Sequence, residues 1–312
     1  MRILIVGAGA VGGYFGGRLA EAGRDVTFLV RAKRAEELKK RGLQIVSRFG
    51  NLALRPETIT ADRIAGPYDV ILLGVKSYSL PAAMNDFASA VGSETMIFPA
   101  LNGMRHIDLL VERFGKGAVL GGVCMVSTEV DDEGRIHQLT GFQRLIYGEL
   151  DGRSTPRLQR LDEALRGAGF DASISDNILH DMWQKWVQLA TLGALTCLLR
   201  GSVGEIASVP GGVDIARMAL RESCSIASAN GYPQSEPFLA DQAAKLMAEG
   251  SPLTSSMYRD LKKGAPVEAD TILGDLLERG RKHGLTAPIL QAAYANLSIY
   301  QRGLERSKTA AS

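Results

Sequence analysis

Cysteine is scarce. Cys124, Cys197 and Cys224 are the only three in 312 residues, far apart and without a Cys-x-x-Cys pair. That excludes a disulfide framework and predicts reduced, buried thiols in a cytoplasmic protein. Histidine is nearly as rare: His106, His137, His180 and His283 fall at no metal-ligand spacing, so no metal site is expected. An excess of one charge is missing too. The 36 basic and 34 acidic residues leave +2, which gives no footprint for nucleic acid or an anionic membrane. No apolar run reaches transmembrane length. The chain enters its first strand at once, so no signal peptide is expected. Internal repeats and low-complexity segments are absent as well. What remains is a chain that is 46% apolar and long enough for two domains, each with its own core.

The first thirty residues carry the strongest local signal. Arg2-Ile3-Leu4-Ile5-Val6 reads as a strand, Gly7-Ala8-Gly9-Ala10-Val11-Gly12 as a loop, the small-residue run after it as a helix, and Val26-Thr27-Phe28-Leu29-Val30 as a second strand. This is a βαβ unit with a glycine fingerprint. Gly7 permits the tight turn, Gly9 lets a pyrophosphate approach the backbone, and Gly12 lets the helix pack on the sheet. The N–H groups and positive dipole end of that helix then suit phosphates. A dinucleotide is the predicted ligand.

The end of the second strand selects among dinucleotides. An NAD site usually has an acid there, to bond the ribose 2′-hydroxyl. This chain has Arg31-Ala32-Lys33-Arg34 instead. Arg31 suits a 2′-phosphate, which a guanidinium grips with two bonds, and NADP(H) is the expected cofactor. Lys33 and Arg34 read equally well as a solvated helix start.

Farther along, a hairpin is expected around Phe49-Gly50-Asn51 and a central parallel strand at 68–75. The next strand spans 95–101, and a helix 107–114. Three strands follow at 118–127, 135–139 and 143–147, then a helix at 158–168 and a last strand at 170–175. From residue 176 the pattern is helical only. Breaks fall at Gly201, Gly231, Gly250, Gly264 and Gly284, and Pro252, Pro266 and Pro288 are read as first-turn prolines. Residues 307–312 read as a loose tail. The fold class is therefore an α/β Rossmann-type N-terminal domain (1–175) followed by an all-α C-terminal domain (176–312).

Polar groups at predicted strand ends are Lys76 and Asn102. Each alone also reads as a surface lysine or a turn residue; beside the glycine loop they suit the nicotinamide half of a cofactor. In the helical half, Asp181, Gln184, Lys185 and Gln188 make a polar stripe, and Asp181 and Lys185 have the i,i+4 spacing of a solvated salt bridge. Glu268 shares a predicted helix face with Ile272 and Leu276, where a carboxylate needs a partner. An acid placed in the first turn after Pro266 to suit the helix dipole is the competing account.

Gly7-Ala8-Gly9-Ala10-Val11-Gly12, Val75-Lys76-Ser77-Tyr78, Asn102-Gly103-Met104, Met182-Trp183-Gln184-Lys185, Ser255-Ser256-Met257 and Val267-Glu268-Ala269-Asp270 occur in that order. Over nearly the whole chain this set resembles the ketopantoate reductases (2-dehydropantoate 2-reductases), enzymes of pantothenate biosynthesis. The resemblance implies NADPH-dependent reduction of a small 2-oxo acid. It implies Lys185 as general acid and Glu268 as its helper. It also implies the glycine loop, Lys76, Asn102 and Thr128 as cofactor contacts, beside the Arg31 read above, with Ser256, Asn102 and Lys185 on the substrate. A homodimer is compatible with it. The chain departs from the pattern where the family usually carries substrate-binding asparagines: Leu189, Gly193 and Val203 stand there. Two functions follow from that departure. One is reduction of a 2-oxo acid more apolar than ketopantoate, and the other is a catalytically silent NADP-binding redox sensor.

Overall fold

A computed structural model describes residues 1–311 and divides the chain into two compact units. The first is Met1–Leu101 with His106–Met182, and the second is Asn102–Arg105 with Trp183–Ser312.

The first unit begins β1 (Arg2–Val6), α1 (Ala10–Glu21), β2 (Asp25–Leu29), α2 (Ala32–Arg41), β3 (Leu43–Val46), β4 (Leu52–Leu54) and β5 (Glu57–Ile59). It continues with β6 (Val70–Leu73), α3 (Leu80–Asp86), β7 (Met96–Pro99), α4 (Arg105–Phe114), β8 (Leu120–Val130), β9 (Ile136–Glu149), α5 (Pro156–Leu165) and β10 (Asp171–Ile174). One sheet is wholly parallel in the order β5-β2-β1-β6-β7. Strands β6 and β7 are buried along their length and β1 from Ile3 onward, as the continuous apolar runs require. The order reverses at β1, so the loops after β1 and β6 meet at one carboxyl edge, the usual place for a ligand in such sheets.

A second sheet runs β10-β9-β3-β4, with β8 paired to β9. The hairpin expected around Phe49 is β3–β4. The three strands expected between 118 and 147 are two. Residues 136–139 and 143–147 belong to a single 14-residue strand, β9, and Arg135 lies just before it. Thr140 and Gly141, read from sequence as a turn, lie with Leu139 and Phe142 in a bulge. There the ladder slips from Thr128 opposite Gln138 to Val126 opposite Gln143.

Helix α1 lies between the two sheets, and its small residues explain how. A Cβ on Gly16 would stand 2.7 Å from the Phe28 ring, on the parallel sheet. One on Gly17 would stand 2.8 Å from Ile45 Cδ1, on the other. Helix α2, by contrast, buries only Leu38.

The second unit is helical: α6 (Ile178–Leu199), α7 (Val203–Ala207), α8 (Gly212–Ala229), α9 (Glu236–Leu246), α10 (Ser256–Lys262), a π-helical turn (Asp270–Gly274), α11 (Asp275–Lys282) and α12 (Pro288–Ala311). Proline opens α12 as expected, but not α10, where the Ser255 hydroxyl caps the helix by accepting the Tyr258 N–H at 3.0 Å. Nor does Pro266 open a helix, since the π turn follows it. Gly264 and Gly284 follow helix ends with φ of +68° and +71°. Residues 307–311, expected as a loose tail, continue α12. Ser312 lies outside the described residues.

All three cysteines are free, and burial pushes the Cys197 and Cys224 thiols up to about 11. No helix among the described residues is long and apolar enough to cross a membrane, and no metal-binding cluster occurs among them.

Candidate functional site

In the first unit the glycine loop joins β1 to α1. Gly7 has φ +92°, and its N–H bonds the Leu29 carbonyl at 3.1 Å. A Cβ at Gly12 would fall 2.1 Å from the Gly7 carbonyl oxygen and 3.3 Å from Gly74 Cα. Gly74, just past β6, is the reciprocal half of this approach: a Cβ there would stand 2.4 Å from Gly12 Cα. Sequence reading missed Gly74, although a glycine ending a central strand opposite the fingerprint was the available signal.

Gly9 differs from both. A Cβ added there meets nothing of the protein within 4 Å. No side chain caps α1, and no acid stands in its first turn. The N-terminal N–H groups of Ala10 and Val11 therefore face a space with no competing carboxylate, and this cradle fits a dinucleotide pyrophosphate.

Arg31 is the N-cap residue of α2, exposed at the same carboxyl edge, and Lys33 is exposed beside it. Arg34 is not merely solvated. It pairs with Glu37 at 3.0 Å and turns back to donate to the Ala8 carbonyl at 3.1 Å. The Arg34 guanidinium therefore lies against the glycine loop. Lys76 is exposed after β6, where its carbonyl accepts the Ser79 N–H at 2.9 Å. Thr128 lies on β8 beside the bulge, half-buried. Its Oγ1 is buried and has no hydrogen-bond partner among the described residues. Such an orphaned hydroxyl suits a polar ligand.

The second unit gathers the other candidates. Helix α6 carries Lys185, Leu189 and Gly193 at four-residue steps, on one face. Lys185 and Leu189 are half-buried, and Gly193 is buried. A Cβ at Gly193 would stand 2.7 Å from Met257 Cε, so the methionine tip covers the space an amide side chain would need. Ser255 ties α10 to α6 through a hydroxyl–hydroxyl bond with Thr196 at 2.8 Å. Ser255 is thus committed to the fold, and its neighbour Ser256 opens α10 half-buried. Val203 is fully buried, and its N–H is held by the Leu253 carbonyl at 2.9 Å.

Glu268 is buried, 9% exposed, and stands just ahead of the helical backbone. Its carbonyl accepts from the Ile272 N–H at 3.0 Å and the Thr271 hydroxyl at 3.2 Å. Both accounts read from sequence are met in part: Glu268 is buried, and it stands at the start of the helical run, while the π turn breaks the helix face it was expected to share with Leu276. Asn102 and Gly103 belong to the same unit. A Cβ on Gly103 (φ +80°) would lie 2.7 Å from the Thr271 carbonyl oxygen and 3.8 Å from Trp186 Nε1. So the segments holding Asn102, Lys185 and Glu268 converge on the π turn. Asp181, offered above as a salt-bridge partner for Lys185, accepts the Ser175 hydroxyl at 2.5 Å.

Comparison with known proteins covers both units. The family described as ketopantoate reductase PanE/ApbA matches residues 3–152, and its C-terminal family matches 177–301. An uncharacterized oxidoreductase of Bacillus subtilis (strain 168), YkpB, is 39% identical over 96% of this chain and 99% of its own length. The 2-dehydropantoate 2-reductase of Mesorhizobium japonicum is 27% identical over 95% of this chain and 96% of its own. The crystal structure of 2-dehydropantoate 2-reductase from Geobacter metallireducens GS-15 superposes with a TM-score of 0.86 at 29% identity, covering 96% of this chain and 99% of that one. A parallel α/β unit with an open glycine cradle, a helical unit bearing a lysine and a buried glutamate, and matches across both halves place this chain in the ketopantoate reductase family of oxidoreductases.

Proposed function

We propose that this protein reduces a 2-oxo acid to the 2-hydroxy acid with NADPH, and that its substrate is more apolar than ketopantoate. The stripe on α6 carries this reading: Lys185 is kept, while Leu189 and Gly193 under Met257 stand where polar amides would hold ketopantoate. In this reading residues 1–175 hold the cofactor and 176–312 supply the substrate and proton groups. The nicotinamide, when bound, supplies the hydride. The glycine loop, Arg31, Lys76, Asn102 and Thr128 hold and orient it. Lys185 donates the proton to the ketone oxygen as charge builds there, Glu268 sets the lysine, and Ser256 bonds the substrate.

A carbonyl screen with NADPH tests the reading. Branched or aromatic 2-oxo acids are expected to turn over faster than ketopantoate. Each missing polar partner costs about 1–3 kcal/mol, so two lower the affinity for ketopantoate roughly 100-fold or more. Leu189→Asn is expected to raise ketopantoate turnover on its own. Gly193→Asn should do so only with Met257→Ala, which clears the 2.7 Å contact. A wild-type kcat/KM for ketopantoate of about 10⁵ M⁻¹s⁻¹ or more would defeat the apolar assignment. NADPH binding with no turnover on any carbonyl would favour the redox-sensing alternative.

Cofactor choice is tested separately. NADPH is expected to bind at least about tenfold tighter than NADH, a difference of roughly 1.4 kcal/mol. Arg31→Ala should remove most of that preference and leave NADH affinity nearly unchanged. Equal losses for both cofactors would assign Arg31 to the adenosine or the fold instead.

A further inference from the structure

The backbone after Glu268 is not regular helix. The Asp275 N–H reaches the Asp270 carbonyl, an i→i+5 bond that makes Asp270–Gly274 a π turn. Such turns are rare, and many occur at functional sites. This one is held from several sides. Trp186 Nε1 donates to the Ile272 carbonyl at 2.9 Å. The Gly103 backbone presses on the Thr271 carbonyl, leaving no room for a side chain. The Tyr294 hydroxyl donates to the Asp270 carboxylate at 2.8 Å. Arg279 sits over the Trp186 ring, 5.6 Å from its centroid, and pairs with Asp275 at 3.2 Å. Trp186 is itself fixed: it is 1% exposed, with its ring centroid 4.8 Å from that of Trp183.

The extra residue in a π turn has a directional effect. It rotates everything before the turn by about 100° relative to the helix after it, compared with an uninterrupted α-helix. Glu268 stands just before the turn and α11 just after. The direction of the Glu268 carboxylate therefore depends on the turn persisting. Trp186 follows Lys185 directly on α6, so one side chain links the backbone of the lysine to that turn.

We propose that Trp186 is a positioning residue: its indole N–H on the Ile272 carbonyl holds the π turn and so fixes Glu268 relative to Lys185. The catalytic half of this inference rests on the function proposed above, while the structural half does not. The test replaces Trp186 in the full-length protein with benzothienylalanine, an isostere that has sulfur in place of the indole N–H. Amide exchange of residues 268–275 is expected to speed up about tenfold while the melting temperature of the protein barely moves. On the best substrate from the screen, kcat is expected to fall at least about tenfold, with the NADPH Kd unchanged. The acetylation rate of Lys185, read by mass spectrometry against the other lysines, is expected to change at least about threefold as Glu268 moves away. Unchanged exchange would overturn the clamp whatever happens to activity. Faster exchange with unchanged kcat and unchanged Lys185 acetylation would overturn the positioning role. A wild-type protein without turnover would count against the proposed function alone, and the acetylation rate would then decide the positioning role.

Discussion

Lys185→Ala is expected to lower kcat by about 10²–10⁴-fold, the usual contribution of a positioned general acid, with NADPH affinity little changed. Reducing a ketone places negative charge on its oxygen, and that charge needs a proton donor within hydrogen-bond reach. Lys185 is half-buried in the first half of α6, between Gln184 and Gln188 of the polar stripe and on the face that continues to Leu189 and Gly193. A lysine there costs desolvation, which a catalytic role explains better than a surface one does. Glu268→Ala should also lower kcat. The double variant should lose less than the product of the two single losses, because the residues act as a unit. A solvent deuterium isotope effect on the wild-type kcat establishes that the proton step limits the rate. Given that effect, a Lys185→Ala enzyme within a few-fold of wild type would remove Lys185 from the chemistry.

Gly9→Ala and Gly12→Ala are expected to weaken cofactor binding by different routes. At Gly12 the new Cβ meets backbone on both sides, 2.1 Å from the Gly7 carbonyl oxygen and 3.3 Å from Gly74 Cα. Neither atom is the end of a flexible side chain, so α1 must move off β6. Overpacking of this kind costs about 3 kcal/mol, which for a unit the size of the α/β unit lowers its melting temperature by roughly 6–12 °C. At Gly9 the Cβ meets no protein atom, and φ of −92° suits alanine. The melting temperature should hold. The methyl group would nevertheless occupy the phosphate's place and deny it at least two charge-assisted bonds at about 1.5–3 kcal/mol each, a loss of roughly 100-fold or more. Calorimetry and NADPH titration of the two variants separate the outcomes. A Gly9→Ala protein that binds NADPH like wild type would show that the open space over Gly9 serves something other than the pyrophosphate.

Much of the α/β unit was legible because its signals are local. Strand, glycine loop, helix and strand are each written in a few adjacent residues, and the 3.6 and 2.0 periodicities separate them cleanly. The continuity of β9 was not legible. Thr140 and Gly141 carry turn chemistry, and only pairing with residues distant in the chain absorbs them into a bulge. Helix α7 was missed although its signal was present: Ser202-Val203-Gly204-Glu205 is a capping box, and the structure forms both of its bonds. Pro252 and Pro266 misplaced two helix starts because proline marks where a helix can begin, whereas the Ser255 hydroxyl determines where α10 does. The π turn had no signature of its own, since it depends on Trp186 and on Gly103, a residue far away in sequence. Of the candidate site residues, the glycines chosen by spacing form the β1–α1 turn, with Gly12 packed against Gly74. Arg34 was read from its neighbours in sequence and turned out to face the Ala8 carbonyl.

The contrast between α1 and α2 also bears on how such a protein can change. Helix α1 is wedged between two sheets and tolerates almost no alteration. Helix α2, with Leu38 as its single buried residue, presents Arg31 and Lys33 to solvent and loses little when they are exchanged. On the function proposed above, the geometry that would grip any dinucleotide is encoded apart from the residues that would discriminate between dinucleotides. On that reading, a lineage or an engineer would move between phosphorylated and unphosphorylated cofactors through a few substitutions at the start of α2, without passing through an unstable intermediate.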